Sequence, residues 1–257
     1  MIPFQAFEKA VTAKTKMIAV THASNLTGAY LSLEPLGALA QKNGAVFLVD
    51  ASQTAGVVPI NMRTDRIDLL AFAGHKGLLG PQGTGALISF RDYELEPLHY
   101  GGTGRDSERK EQPDSWPERY EAGTLNTPGI AGLSKGIEEV ERIGIEHIYQ
   151  HERALLTDLL EGLKKLKSVT CFHPREGEQL AVVAFRMEQL DSHELATILD
   201  QHYSIAVRAG LHCAPRAHLS LNTLDTGLVR VSFGPYNTKS EVERLLQALA
   251  EIEEAFL

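Results

Sequence analysis

Residues 46–85 read VFLVDASQTAGVVPINMRTDRIDLLAFAGHKGLLGPQGTG, and two short apolar runs with polar ends decide the fold class. Val46-Phe47-Leu48-Val49 is apolar without alternation, the pattern of a strand covered on both faces in a parallel sheet. It ends in Asp50, at the carboxyl end of the strand, where open α/β sheets place their ligands. Leu69-Leu70-Ala71-Phe72-Ala73 is a second buried strand, and its polar end is Gly74-His75-Lys76-Gly77. Both polar tips are expected to open onto one crevice.

Outward from this stretch, short apolar runs alternate with helical spacing. The pattern predicts a strand over 17–20, a helix over 34–43 ended by Gly44, and strands over 46–49, 68–73 and 85–90. This is the signature of an α/β layer. Residues 101–120, GGTGRDSERKEQPDSWPERY, are polar and aperiodic and read as a long loop of the kind that is usually functional. Helical spacing with many Glu, Lys and Leu runs from 129 to about 166 and reads as helices connecting two domains. Beyond it come strands over 180–185, 205–208 and 228–233, a helix over 192–201 and a terminal helix from Lys239. The expected division is residues 1–140 as a partial cofactor-binding large domain and 141–257 as a small α+β domain.

Bulk properties narrow the function. The 257 residues, 43% hydrophobic and 23% charged, suit a soluble globular protein with a sizeable core. A net charge of -8 without a Lys/Arg cluster argues against nucleic acid as a partner. Neither a signal-peptide pattern nor a bilayer-length apolar stretch occurs, so the expectation is a cytoplasmic protein with no membrane partner. Cys171 and Cys213 are the two cysteines, and free thiols are the default in a reducing compartment.

An amine and a carboxylate at neighbouring strand ends suit pyridoxal 5'-phosphate. That cofactor needs a lysine to form an imine and an acid to keep its pyridine nitrogen protonated. The segments Gly74-His75-Lys76 and Asp50-Ala51-Ser52-Gln53, at this spacing, resemble the class V aminotransferase family of fold-type I pyridoxal phosphate enzymes. Arg208-Ala209-Gly210-Leu211-His212-Cys213-Ala214-Pro215, followed by Val229-Arg230-Val231-Ser232, is similar to the cysteine desulfurase branch. The resemblance extends over essentially the whole chain. It implies a three-layer fold-type I large domain with a mostly parallel sheet, partial in this chain, plus a small carboxyl-terminal α+β domain.

Position by position, the resemblance implies Lys76 as the Schiff-base lysine and Asp50 as the partner of the pyridine nitrogen. It implies Gln53 on the phenolic oxygen, His75 on the phosphate and Asn25 near cofactor and substrate. Glu121-Ala122-Gly123-Thr124 is similar to a segment that reaches across a homodimer, so Thr124 would touch the neighbour's phosphate. Arg230 would grip the substrate carboxylate, assisted by Arg208. The implied reaction converts L-cysteine to L-alanine, with Cys213 taking the sulfur as a persulfide for a sulfur-acceptor protein in iron–sulfur or other cofactor assembly. Such a thiol needs a lowered pKa, for which His212 and Arg208 would supply positive charge.

Two departures from the family pattern stand out. Ala73 occupies a place where a hydroxyl residue next to the phosphate is usual. Full-length members also have roughly a hundred residues, a domain-sized piece, before the point matching Met1. That amino-terminal segment carries the aromatic that stacks on the cofactor ring. Selenocysteine lyases and other class V enzymes share Lys76 and Asp50, so they remain alternatives, as does a catalytically silent fragment unable to hold the cofactor.

Plainer readings exist for each residue. A lysine among glycines is usually a solvated loop lysine, and an acid after a strand usually caps the next helix. A lone cysteine such as Cys213 is usually inert, and Cys171 reads as core packing. The glycines from 74 to 85 match neither a phosphate loop nor a dinucleotide fingerprint and read as tight turns. His22, His212, His218 and Cys213 lack metal-ligand spacing, so no metal is expected.

Overall fold

The computed structural model describes residues 2–104, 110–174 and 179–256. The architecture is α/β, with two four-stranded sheets. The first has the order β1 (Met17–Thr21), β2 (Val46–Asp50), β3 (Leu69–Ala73), β4 (Gly85–Ser89). β1, β2 and β3 run parallel, with Thr21 opposite Asp50 and Asp50 opposite Ala71, and β4 returns antiparallel to β3. Their polar ends are thereby aligned. Asp68 fastens the opposite end, its carboxylate accepting from the Phe47 amide at 2.9 Å and from the Tyr93 hydroxyl at 2.8 Å.

α1 (Phe4–Ala10) and α2 (Leu33–Lys42) lie along this sheet. Leu33, Leu36 and Ala40 of α2, at helical spacing, pack on Ile18, Val20, Phe47 and Val49. Burial along β1 and β2 therefore alternates, with Phe47 and Val49 fully buried and Val46 and Leu48 only half so. The sequence pattern predicts cover on both faces, and the structure differs: the described helices press on one face, leaving Met17, Leu87 and Ile88 of the edge strands exposed.

α3 (Thr127–Ile143) and α4 (Ile145–Leu163), joined at Gly144, lead to the second sheet. Gly136 lets α3 lie on the turn after Lys76, since a Cβ there would sit 2.3 Å from the Leu78 carbonyl oxygen. The second sheet is wholly antiparallel, in the order β5 (Val169–Phe172), β6 (Val182–Met187), β8 (Leu228–Ser232), β7 (Arg208–Gly210). α4, α5 (Ser192–Tyr203) and α7 (Lys239–Phe256) build its core from Leu159, Leu163, Leu199, Val242, Leu245 and Leu249 packed on Val183, Phe185 and Val229. The expected strand over 205–208 is displaced, because pairing with β8 begins at Arg208. The long loop over 101–120 contains one turn of 3-10 helix at Glu118–Tyr120, and its residues 105–109 lie outside the described ones.

The two sheets meet along one seam. After β1 the chain bends through Ser24-Asn25-Leu26-Thr27-Gly28, and the Leu180 amide donates to the Gly28 carbonyl at 2.9 Å. Gly28 has φ of +71°, and a Cβ there would lie 2.8 Å from the Val182 carbonyl oxygen. Glycine is needed at this close approach.

Candidate active site

A cleft of about 520 Å³ opens where the carboxyl ends of β2 and β3 face β7 and β8. It is lined by Asn25, Gln53, Lys76, Arg208, Cys213 and Arg230, six of the residues singled out in the sequence. Asp50, His75 and Thr124 are not on its wall. Asp50 stands at the end of β2, half-buried, and one carboxylate oxygen accepts from the Ser52 amide at 2.9 Å, so the capping role is realised at a turn. His75 is exposed beside Lys76, and Thr124 is exposed in the segment before α3. A second cavity of about 510 Å³, at the other end of the first sheet near Arg63, Arg66 and Arg91, holds none of these residues.

Lys76 and Gln53 are unengaged: among the described residues, neither side chain has a hydrogen-bond or ionic partner. Leu79 donates its amide to the Lys76 carbonyl at 2.9 Å, and Gly80 to Gly74 at 2.9 Å, which fixes the turn that presents the amine. Gly77 fits there because a Cβ would lie 2.6 Å from the Ala55 carbonyl oxygen.

Across the cleft, Arg208 and Arg230 are cross-strand partners on β7 and β8. The Arg230 Nη1 donates to the Asn25 carbonyl at 2.8 Å, while its buried Nε has no partner. A buried donor left unmade costs about 1–3 kcal/mol, so this edge of the guanidinium suits an anionic guest. Burial, and secondarily Arg208, hold Arg230 below its usual pKa. Asn25 Nδ2 in turn donates to the His212 carbonyl at 2.6 Å.

Cys213 is exposed, with Arg208 Nη2 donating to its sulfur at 3.7 Å. His212 and Cys213 have φ of +54° and +56°, two consecutive left-handed residues that carry side chains. Each costs roughly 1–2 kcal/mol, and such strain persists where surrounding contacts over-determine it. The expected positive charge from His212 is absent: burial first, then Arg230, Arg208 and His218, depress its pKa. The neighbouring cation is Arg208. Cys171, half-buried on β5, has its thiol pushed up by burial to about 11. His22 is pushed down by burial to about 4 and shares a 2.8 Å hydrogen bond with Thr54 Oγ1. No cluster of His, Cys, Asp or Glu able to hold a metal occurs among the described residues, and none of their helices is long and apolar enough to cross a membrane.

Glu152 of α4 also lines the cleft and was not singled out in the sequence. The signal was present: Ile148, Glu152, Leu155, Leu159 and Leu163 share one helical face, which places a carboxyl in an apolar stripe. It is 5% exposed, and burial raises its pKa to about 7. The unfolded chain therefore loses this proton near pH 4.5 and the folded one only near 7. Stability from this group is full below the lower value and falls as pH rises between the two. The loss is at most roughly 3 kcal/mol. Glu152→Gln stays neutral, so thermal unfolding is expected to show it more stable than wild type at pH 8 and equal at pH 4. Equal melting at pH 8 would refute the account.

Comparison with known proteins follows the same lines. Residues 1–245 match the model of the family described as aminotransferase class-V. A probable cysteine desulfurase of Pyrococcus abyssi is 40% identical over 247 residues, 92% of this chain and 59% of that protein. A probable cysteine desulfurase of Methanothermobacter thermautotrophicus is 38% identical, covering 95% of this chain and 62% of that protein. The chain thus spans about 60% of the length of these curated relatives. The apo structure of a cysteine desulfurase from Thermococcus onnurineus NA1 superposes with a TM-score of 0.85 at 39% identity, over 93% of this chain and 60% of that one. The cysteine desulfurase CsdA of Escherichia coli gives 0.86 at 31% identity, over 98% of this chain and 63% of that one.

Proposed function

Because the chain belongs to the class-V aminotransferase family, we propose that it acts in a pyridoxal 5'-phosphate-dependent cysteine desulfurase that converts L-cysteine to L-alanine. One observation carries the reading: an unengaged lysine, a buried guanidinium edge without a partner and an exposed thiol share a single cleft. The relatives named as probable cysteine desulfurases support the substrate class. Residues 1–140 are taken as the partial cofactor-binding unit and 141–257 as the small α+β unit.

The donor set fits the cofactor. Lys76 and Gln53 offer a free amine and a free amide, and Asp50 keeps one carboxylate oxygen beyond its bond to Ser52. Lys76 would hold the aldehyde carbon, Asp50 the pyridine nitrogen, Gln53 and Asn25 the ring edge, and His75 the phosphate, with Thr124 contributed across a homodimer. When bound, pyridoxal phosphate supplies an electron sink for charge developing at the substrate Cα. Arg230, through its free Nε edge, and Arg208 bind the α-carboxylate and so orient the substrate. The Lys76 amine is the proton carrier at Cα. Cys213 attacks the substrate sulfur: an S–S bond forms and the C–S bond breaks, its electron pair staying with carbon. Of the two thiol protons, one ends on Cβ, giving alanine, and one on the Cys213 persulfide. A sulfur-acceptor protein serving iron–sulfur or other cofactor assembly in the cytoplasm would then take the sulfur.

The test is to supply pyridoxal phosphate and L-cysteine and to measure alanine together with the mass of the Cys213 peptide. Alanine with one added sulfur on Cys213 is the expected outcome. Turnover of selenocysteine alone would point to a lyase, and failure to take up the cofactor would leave a catalytically silent chain.

A further inference from the structure

His212 is a joint between the two sheets. Its carbonyl accepts from Asn25, on the seam after β1, and its ring is 3.1 Å from the Arg208 carbonyl on β7. A carbonyl oxygen only accepts, so Nε2 carries the proton and donates. Nδ1 is then a bare lone pair, buried and without a partner. These two bonds hold the left-handed pair at His212 and Cys213, and this turn delivers the Cys213 sulfur to Arg208 Nη2. The ionisable groups facing the imidazole are Arg208 on β7, Arg230 on β8 and His218 on α6 (Pro215–Leu221), whose ring lies parallel at 6.0 Å. His218 donates from Nδ1 to the Thr223 carbonyl at 3.2 Å. No carboxylate stands among them to favour a second proton on His212.

We infer that His212 is the positioning residue of Cys213, a joint that ties Asn25 to Arg208 and so holds the thiol against the Arg208 guanidinium. The sulfur gains its neighbour by placement: the turn sets it 3.7 Å from Arg208 Nη2, which fixes the side of the cleft on which the thiol stands. The inference rests on the proposed role of Cys213 as sulfur acceptor. Its test reads thiol chemistry alone and stands apart from desulfurase activity.

The test is iodoacetamide alkylation of the full chain at pH 7, followed on the Cys213 peptide by mass spectrometry and so resolved from Cys171. His212→Ala is expected to slow alkylation of Cys213 roughly three- to tenfold through loss of the contact that places the sulfur, and Arg208→Gln to slow it similarly. The double variant should be no slower than Arg208→Gln, since the two changes act through one contact. His212→Gln is neutral and can place an N–H near the Nε2 position, so its rate should return to within about twofold of wild type. Additive losses, an unaffected His212→Ala, or a His212→Gln as slow as His212→Ala would each overturn the inference. So would an inflection between pH 5 and 7 in the wild-type rate that His212→Gln removes, because that would make the ring a source of charge. If His212→Ala does not fold by circular dichroism, His212→Gln against Arg208→Gln still decides.

Discussion

On the proposed function, Lys76→Ala is expected to lower alanine release from L-cysteine by roughly three to four orders of magnitude, the scale of losing a positioned proton carrier, while leaving the melting temperature nearly unchanged. The amine is exposed at the cleft wall and unengaged by the described residues, so its removal takes away no packing and no ion pair. Exposed substitutions of this kind stay within about 0.5 kcal/mol. The turn that presents the lysine is held by backbone bonds from Leu79 and Gly80, which alanine retains. Alanine formation and the visible absorption of cofactor-loaded protein are the two readouts, and both should be lost together. A variant keeping a tenth of wild-type turnover would remove Lys76 from the chemistry.

On the same reading, Cys213→Ser is expected to abolish persulfide formation, by at least a hundredfold on the scale set by replacing a thiol nucleophile with a hydroxyl, and to spare cofactor uptake. Cys171→Ser provides the contrast. With its thiol pushed up to about 11 and half-buried on β5, Cys171 is almost wholly protonated at neutral pH, and a neutral thiol is a poor nucleophile. Cys213 is exposed, donated to by Arg208 and presented by a turn that serine can adopt, so the substitution changes one atom and little else. Persulfide mass on each cysteine peptide separates the two sites. Sulfur on Cys171 in the Cys213→Ser variant would reassign the acceptor.

Much of the site is legible in the sequence alone. β2 and β3 are short apolar runs bounded by polar residues, and their tips meet one cleft wall through Gln53 and Lys76. The antiparallel return of β4 was not legible, because strand direction depends on pairing rather than on local pattern. α1 buries no residue, and β5 is a four-residue strand with half-buried side chains throughout, so neither carried a strong periodic signal. Ile205-Ala206-Val207 looks like a strand, yet the ladder with β8 takes up Arg208–Gly210, the residues that bring two arginines side by side. The expected charge on His212 failed for a tertiary reason, its burial beside Arg208 and Arg230, which no spacing in the chain reveals.

The Asn25 contacts carry a consequence for how the molecule is made. Asn25 bonds to residues 187 and 205 positions away along the chain, His212 and Arg230. Contacts of such separation come late, since the ordering of everything enclosed must first repay the loop that they close. On a ribosome, β1 and β2 can pair long before Arg230 has been synthesised, so a nascent chain passes through a stage with its first sheet in place and no cleft. The Cys213 turn is then a mark of completion, acquired only when Asn25 has met His212 and Arg230.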